Sequence, residues 1–149
     1  MTRKEVRDFV KAGVDALTPV LEFGCGLVTD FNIIPDKTLP QVWQELRPVE
    51  GENPTNQAPL DEWDIRLHIA MLDKMDSKPD QYNPIIDSCD EVAQKLLAQY
   101  NFILMTDTTY RKVTFKGRSR EPFVKKYAHC MSGVLLRFTI VAPDQTEVC

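Results

Sequence analysis

Two stretches of the chain alternate apolar and polar residues with a period of two. Residues 62–72 carry an apolar residue at every second position, and residues 134–140 repeat the pattern near the end of the sequence. Because successive side chains of a strand point to opposite faces of a sheet, each stretch predicts a strand with one face on a core. The apolar positions are Trp63, Ile65, Leu67, Ile69 and Met71 in the first stretch and Val134, Leu136, Phe138 and Ile140 in the second.

Two other stretches have helical spacing. Thr2 followed by Glu5 predicts a capping box, and apolar residues then recur on one face, so a first helix is expected from residue 3 to about 16. A second and main helix is predicted over 85–99, with Pro84 in its first turn. Its apolar stripe consists of Ile86, Cys89, Ala93, Leu96, Leu97 and Tyr100.

The remaining strands are less regular. Residues 21–34 are apolar but contain Gly24 and Gly26, which indicates a strand or bulged strand with a close backbone approach. Single strands are expected over 40–49 and 112–116. Residues 123–141 form one long strand or two strands broken near Ser132 and Gly133. The predicted order is α-β-β-β-α-β-β, an α+β fold with a mostly antiparallel sheet flanked by two helices.

Two polar stretches are expected to project from a single domain spanning residues 1–149. Residues 50–60 contain two prolines, a glycine and three amides, which is typical of a loop. Residues 106–121 begin with a turn-prone segment and include a turn or mobile loop predicted at 117–122.

Composition is ordinary for a globular protein, at 43% hydrophobic and 27% charged residues, and the net charge is −4. The charge is unevenly distributed, since residues 111–126 carry +6 and leave −10 for the rest of the chain. This basic segment indicates either a solvated hairpin or a surface for an acidic subunit or a DNA backbone. Its cations are Arg111, Lys112, Lys116, Arg118, Arg120, Lys125 and Lys126.

No residue pattern predicts a catalytic centre, a metal site or a cofactor. The four scattered cysteines, without a CxxC pair, are expected to be free thiols in a reducing cytosol, and no apolar run predicts secretion or membrane insertion. An enzyme would require Cys25 or Cys130 as a nucleophile beside His68 or His129, and no sequence signature supports that arrangement.

The order of motifs resembles that of the neck, connector and tail-terminator-type proteins of tailed bacteriophages, most closely small ring proteins of crAss-like phages that infect Bacteroidota. The resemblance covers nearly the whole chain. It is carried by the first helix, the glycine-containing strand 21–27, the proline-and-aromatic arm 39–48, the strand 63–71, the helix 87–97 and the last strand 131–140.

This resemblance implies a tail-terminator-like fold and a structural virion protein, made in the host cytoplasm, that forms a six- or twelve-fold ring around the DNA channel. The implied partners are copies of itself, adjacent portal, ring or tail proteins, and duplex DNA, with no catalysis, cofactor or membrane. Segments 50–60 and 106–121 would then serve as inter-subunit and inter-ring arms. The alternative is a small cytosolic α+β binding module that recognises a nucleic acid or a protein partner.

Overall fold

The computed structural model describes residues 1–17, 21–27, 40–52, 60–126 and 130–143. Within this part the chain is α+β, as predicted, with two α-helices and a mixed sheet of six strands. The elements are α1 (Arg3–Asp15), β1 (Phe23–Gly26), β2 (Gln41–Glu45), β3 (Val49–Glu52), β4 (Leu60–Leu72), α2 (Pro79–Thr106), a short 3-10 helix (Thr108–Tyr110), β5 (Thr114–Lys126) and β6 (Met131–Pro143).

The two strictly alternating stretches form the middle of the sheet. β4 and β6 are antiparallel and pair along all thirteen positions, from Leu60 opposite Pro143 to Leu72 opposite Met131. The strand order is β1-β2-β4-β6-β5, and β3 pairs with β4 beyond the end of β2. Only the β1–β2 pair is parallel among the described strands.

Both helices cover one face of the sheet, called here the helix face. The alternating residues of β4 and β6 point into this core, and the stripe of α2 packs onto them. Tyr100 is fully buried, contacts the rings of Phe9 and Phe138, and donates a hydrogen bond of 2.9 Å to the Val10 carbonyl. Each such buried side chain contributes roughly 1.5–3 kcal/mol, so this face supplies most of the stability.

The opposite face is apolar at one end and charged at the other. Ala70, Phe123 and Met131 form a small buried cluster there, against which Trp43, Leu72 and Leu135 pack. Further along, the outward positions of β4 and β6 are Asp64, Arg66, Arg137 and Thr139. The opposite face therefore has its own short core and a separate polar half.

Glycines mark two close approaches. A side chain at Gly24 would overlap the indole of Trp43 on the neighbouring strand, which confirms the close approach predicted for this segment. A side chain at Gly133 would overlap the Ile69 carbonyl oxygen, so β4 and β6 can meet at this point only when residue 133 has no Cβ.

The first helix is confirmed, and the Thr2 hydroxyl accepts a hydrogen bond from the Glu5 amide at 3.2 Å. The second helix is longer than predicted at both ends, because Pro79 occupies its first position and the apolar residues 102–105 continue it. Pro84 consequently lies inside α2 rather than in its first turn.

The strand predictions need three corrections. Residues 40–49 are not one strand, since β2 ends at Glu45 and β3 begins at Val49. The turn predicted at 117–122 is wrong, because these residues continue β5. The break in 123–141 falls before Met131, so Ser132 and Gly133 lie within β6. The strand predicted over 21–34 is seen at Phe23–Gly26, and residues 28–34 lie outside the described part.

The two stretches expected to project, 50–60 and 106–121, are both partly built into regular elements. Residues 50–52 belong to β3, Leu60 begins β4, and residues 53–59 lie outside the described part. Residues 106–121 comprise the last residue of α2, the 3-10 helix and the first half of β5. The second stretch is therefore tied to the sheet over its later residues.

Candidate interaction site

The basic segment lies mainly on β5, which forms one edge of the sheet. β5 pairs with β6 on one side, and no other described strand pairs with it. Its residues from Lys116 to Pro122 are all exposed. Gly117 has a φ of +68°, and the pairing register shifts there, so a β-bulge bends this edge. Bulges and lysines on an edge also discourage indiscriminate strand pairing.

Three of the seven predicted cations are engaged within the molecule. Lys116 Nζ lies 2.6 Å from Glu62 Oε1, and Arg120 Nη1 lies 3.0 Å from Asp90 Oδ2 on α2. Lys125 Nζ donates a hydrogen bond of 2.6 Å to the Ser77 carbonyl. Because Lys116 lies on the opposite face and Arg120 on the helix face, the seven cations do not form one patch.

The other four cations are exposed, and within the described ranges none of them forms an ion pair. Arg118 lines a groove between β5 and Leu97 and Asn101 of α2. Arg111 and Lys112 border a second groove, shared with Asp8 of α1. Lys126 lies at the end of β5. Arg118 is therefore the central available charge of the edge strand.

A cluster of arginines on the opposite face was not predicted. Arg66 Nη2 lies 3.1 Å from Asp64 Oδ2, and Arg47 Nη2 and Arg137 Nη2 both lie 3.7 Å from the same oxygen. Arg66 and Arg137 are direct cross-strand partners of β4 and β6. Like charges directly opposite each other are unfavourable, so Asp64 compensates a repulsion that the strand register creates. The sequence indicated this cluster only through Arg66 and Arg137, which lie at polar positions of the two predicted strands.

His68 is buried on the opposite face beside the β2 strand. Its Nε2 lies 3.4 Å from Glu45 Oε2, and its ring centroid lies 6.4 Å from that of Phe123. Burial lowers the pKa of His68, although the neighbouring Glu45 carboxylate partly opposes that effect. The imidazole is therefore held mostly neutral near pH 7.

Of the cysteine–histidine pairs considered for an enzyme, Cys25 and His68 are not brought together. Cys25 pairs with Gln44 and His68 pairs with Trp43, so the two side chains point to opposite faces of the sheet. Burial raises the pKa of the Cys25 thiol, which disfavours the thiolate. Cys130 lies in the turn before β6, and His129 lies outside the described residues.

The thiols of Cys25, Cys89 and Cys130 are free, and Cys149 lies outside the described residues. Burial raises the pKa of Cys89 to about 12. In the described part of the chain, no three His, Cys, Asp or Glu side chains are grouped closely enough to hold a metal ion. Neither described helix combines the length and the apolar character that crossing a membrane requires.

Comparison with known proteins identifies no relative of this chain. No protein-family model matches the chain. No curated protein matches it at a significant level.

Proposed function

We propose that this chain is a structural virion protein that forms a ring in the head-to-tail connector or tail of a tailed bacteriophage. The ring would be six- or twelve-fold and surround the DNA channel, in contact with portal, ring or tail proteins. The proposal also takes up the tail-terminator-like fold, the location in the virion and the absence of catalysis that the sequence resemblance implies.

The observation that carries the proposal is the exposed, basic edge strand β5. A cyclic assembly uses a heterologous contact, in which one patch meets a different patch on the next copy. β5 offers backbone groups for strand addition together with the available charge of Arg118. The rest of the chain carries a net charge of −10, so a neighbouring copy can supply the complementary carboxylates.

Imaging of single particles tests this proposal. The protein would be purified from virions or co-expressed with the neighbouring genes, and closed rings with a channel wide enough for duplex DNA are expected. Monomers or dimers alone, even beside a portal partner, would contradict it.

Charge reversal tests the role of β5 within the ring. Arg118→Glu should reduce the fraction of protein in rings at least several-fold, because it turns attraction at the interface into repulsion. Lys11→Glu is the matched control, since Lys11 lies on the exposed face of α1 and, among the described residues, forms an ion pair with Asp15 alone. Equal ring yields for the two variants would remove β5 from the interface.

The arginine cluster around Asp64 favours a second candidate, the small binding module that recognises a nucleic acid or a protein partner. Three guanidinium groups share one carboxylate there, and guanidinium groups bind phosphate readily. This function predicts a discrete small oligomer whose affinity for DNA falls steeply with salt. Arg137→Gln should weaken that binding, measured by titration with duplex DNA, and leave the size of the small oligomer unchanged.

A further inference from the structure

The polar half of the opposite face carries two rows of like charges. Arg66 of β4 lies directly across from Arg137 of β6, and Glu50 of β3 lies directly across from Glu62 of β4. Glu62 and Arg66 are four positions apart on one strand, so the two rows are separated by about 13 Å. This half of the face is therefore acidic toward β3 and basic between β4 and β6.

The basic row has more cations than its own copy neutralises. Arg66 and Arg137 share the Asp64 carboxylate with Arg47, and Arg47 also lies 3.8 Å from Glu45. Three guanidinium groups thus meet two carboxylates, which leaves one positive charge in excess. The side chains of Arg66 and Arg137 are 23% and 43% exposed, so a partner can reach both.

The acidic row has the opposite imbalance. Glu62 pairs with Lys116 at 2.6 Å. Glu50 is exposed and forms no ion pair with any described residue. Two carboxylates thus meet one ammonium group, which leaves one negative charge in excess. Like charges directly opposite each other are unfavourable, so each row gains from opposite charges supplied by another molecule.

Both rows line one concave surface of the sheet. The two described helices pack on the helix face and leave this surface uncovered. A nucleic acid laid along it would be attracted by one row and repelled by the other. The partner that fits best carries the same two rows in inverted order, and a second copy of this chain has that pattern.

We propose that this surface pairs two copies of the chain about a two-fold axis midway between the rows. Such an axis sets Glu50 and Glu62 of each copy against Arg66 and Arg137 of the other, so one patch is complementary to itself. This contact goes beyond the proposed ring, whose heterologous contact uses Arg118 on the other face of the sheet. The two contacts can therefore be broken separately.

Sedimentation equilibrium measures the pairing in an Arg118→Glu background, in which the proposed ring contact is weakened. Dimers are expected at low salt, and sodium chloride should dissociate them because it screens exposed charges. Arg137→Glu and Glu50→Arg should each weaken the pairing about tenfold, since every substitution acts at two symmetry-related places.

The two reversals combined form the decisive variant. Glu50→Arg with Arg137→Glu restores opposite charges across the two-fold axis, so the dimerisation constant should return to within about threefold of its original value. Glu91→Arg and Lys11→Glu are the matched controls, because they change the charge by the same amounts at exposed positions of the helices. Both should leave the pairing unchanged, and circular dichroism checks that each variant is folded.

Three results of this series would overturn the assignment. They are monomers at every concentration, equal weakening by the reversals and their controls, and no recovery in the combined variant. Loss of duplex DNA binding in Arg137→Glu with unchanged dimerisation would also overturn it, because the arginines would then serve a nucleic acid. Failure of the original chain to form rings, with salt-sensitive dimers retained, would contradict the proposed function alone.

Discussion

At the scale of single residues, the titration of His68 should make the free energy of unfolding depend on pH. The imidazole is buried, and burial lowers its pKa below the usual 6.5. The unfolded chain therefore binds a proton at this position more readily than the folded chain. The free energy of unfolding should fall as the pH drops below about 6.5, and should level off above it.

Chemical denaturation at a series of pH values measures this slope. We expect a His68→Gln variant to have a flatter profile between about pH 7.5 and pH 5.5, since it carries no titrating group there. The lowered pKa of Asp73, whose carboxylate accepts from Ser132, has the same sign, but it acts only below about pH 4. Identical slopes for the two proteins would show that His68 does not control stability in this range.

At the scale of elements, the closeness of β4 and β6 depends on Gly133. A Cβ at this position would overlap the Ile69 carbonyl oxygen and lie 2.9 Å from the Ala70 Cα, and both neighbours are backbone atoms that cannot swing away. Gly133→Ala should therefore lower the free energy of unfolding by about 2–4 kcal/mol.

Gly51→Ala is the matched control for that substitution. Its new Cβ would meet Asp61 Oδ1 at 3.5 Å, an ordinary contact, so a change within about 0.5 kcal/mol is expected. Urea denaturation of the two variants measures the difference. Equal losses in the two variants would mean that the close approach at Gly133 does not explain the effect.

The sequence predicted elements well where one face is buried and poorly where no face is. β4 and β6 have a clear period of two because only the helix face of their middle residues meets the main core. β5 lacks that period, since most of its residues are exposed on an edge. Gly117 and Pro122 then resemble a turn, although a bulge and an edge position accommodate both. In the same way, residues 102–105 of α2 are all apolar and all at least partly exposed. Their sequence therefore has no alternation of apolar and polar positions that would indicate a helix.

At the scale of the whole molecule, the candidate sites were harder to predict than the fold. The basic segment was visible as a run of charge, but its division between the two faces depends on the register of β5. A cavity at the break between β2 and β3 is lined by Arg3 and Arg7 together with Gln44, Arg47 and Trp63. These residues are distant along the chain, and only the packing of α1 over the break in the sheet brings them together.

Two exposed apolar side chains near the end of α2 add to the possible contact surface. Phe102 is 58% exposed and Met105 is 85% exposed. Replacing both with serine should change the free energy of unfolding by less than about 0.5 kcal/mol each, because neither is buried. If a neighbouring copy covers them, sedimentation and particle imaging should show weaker assembly.

Met75→Ser provides the comparison, since Met75 is 78% exposed in the link before α2. Assembly should be unaffected by this change. Weakening to the same extent in both variants would indicate a general loss of surface hydrophobicity rather than a contact at the end of α2.

The pairing of β4 with β6 also affects how quickly the chain can fold. Every residue pair between these strands encloses all of α2 and β5, so the contacts are distant in sequence, and such topologies fold in milliseconds to seconds. β6 is the last described strand to leave the ribosome, and it inserts between β4 and β5. Until then β5 has no described partner strand, and β4 exposes one side. Synthesis therefore includes an interval in which two long strands are open to mispairing, and this interval ends only when β6 is complete.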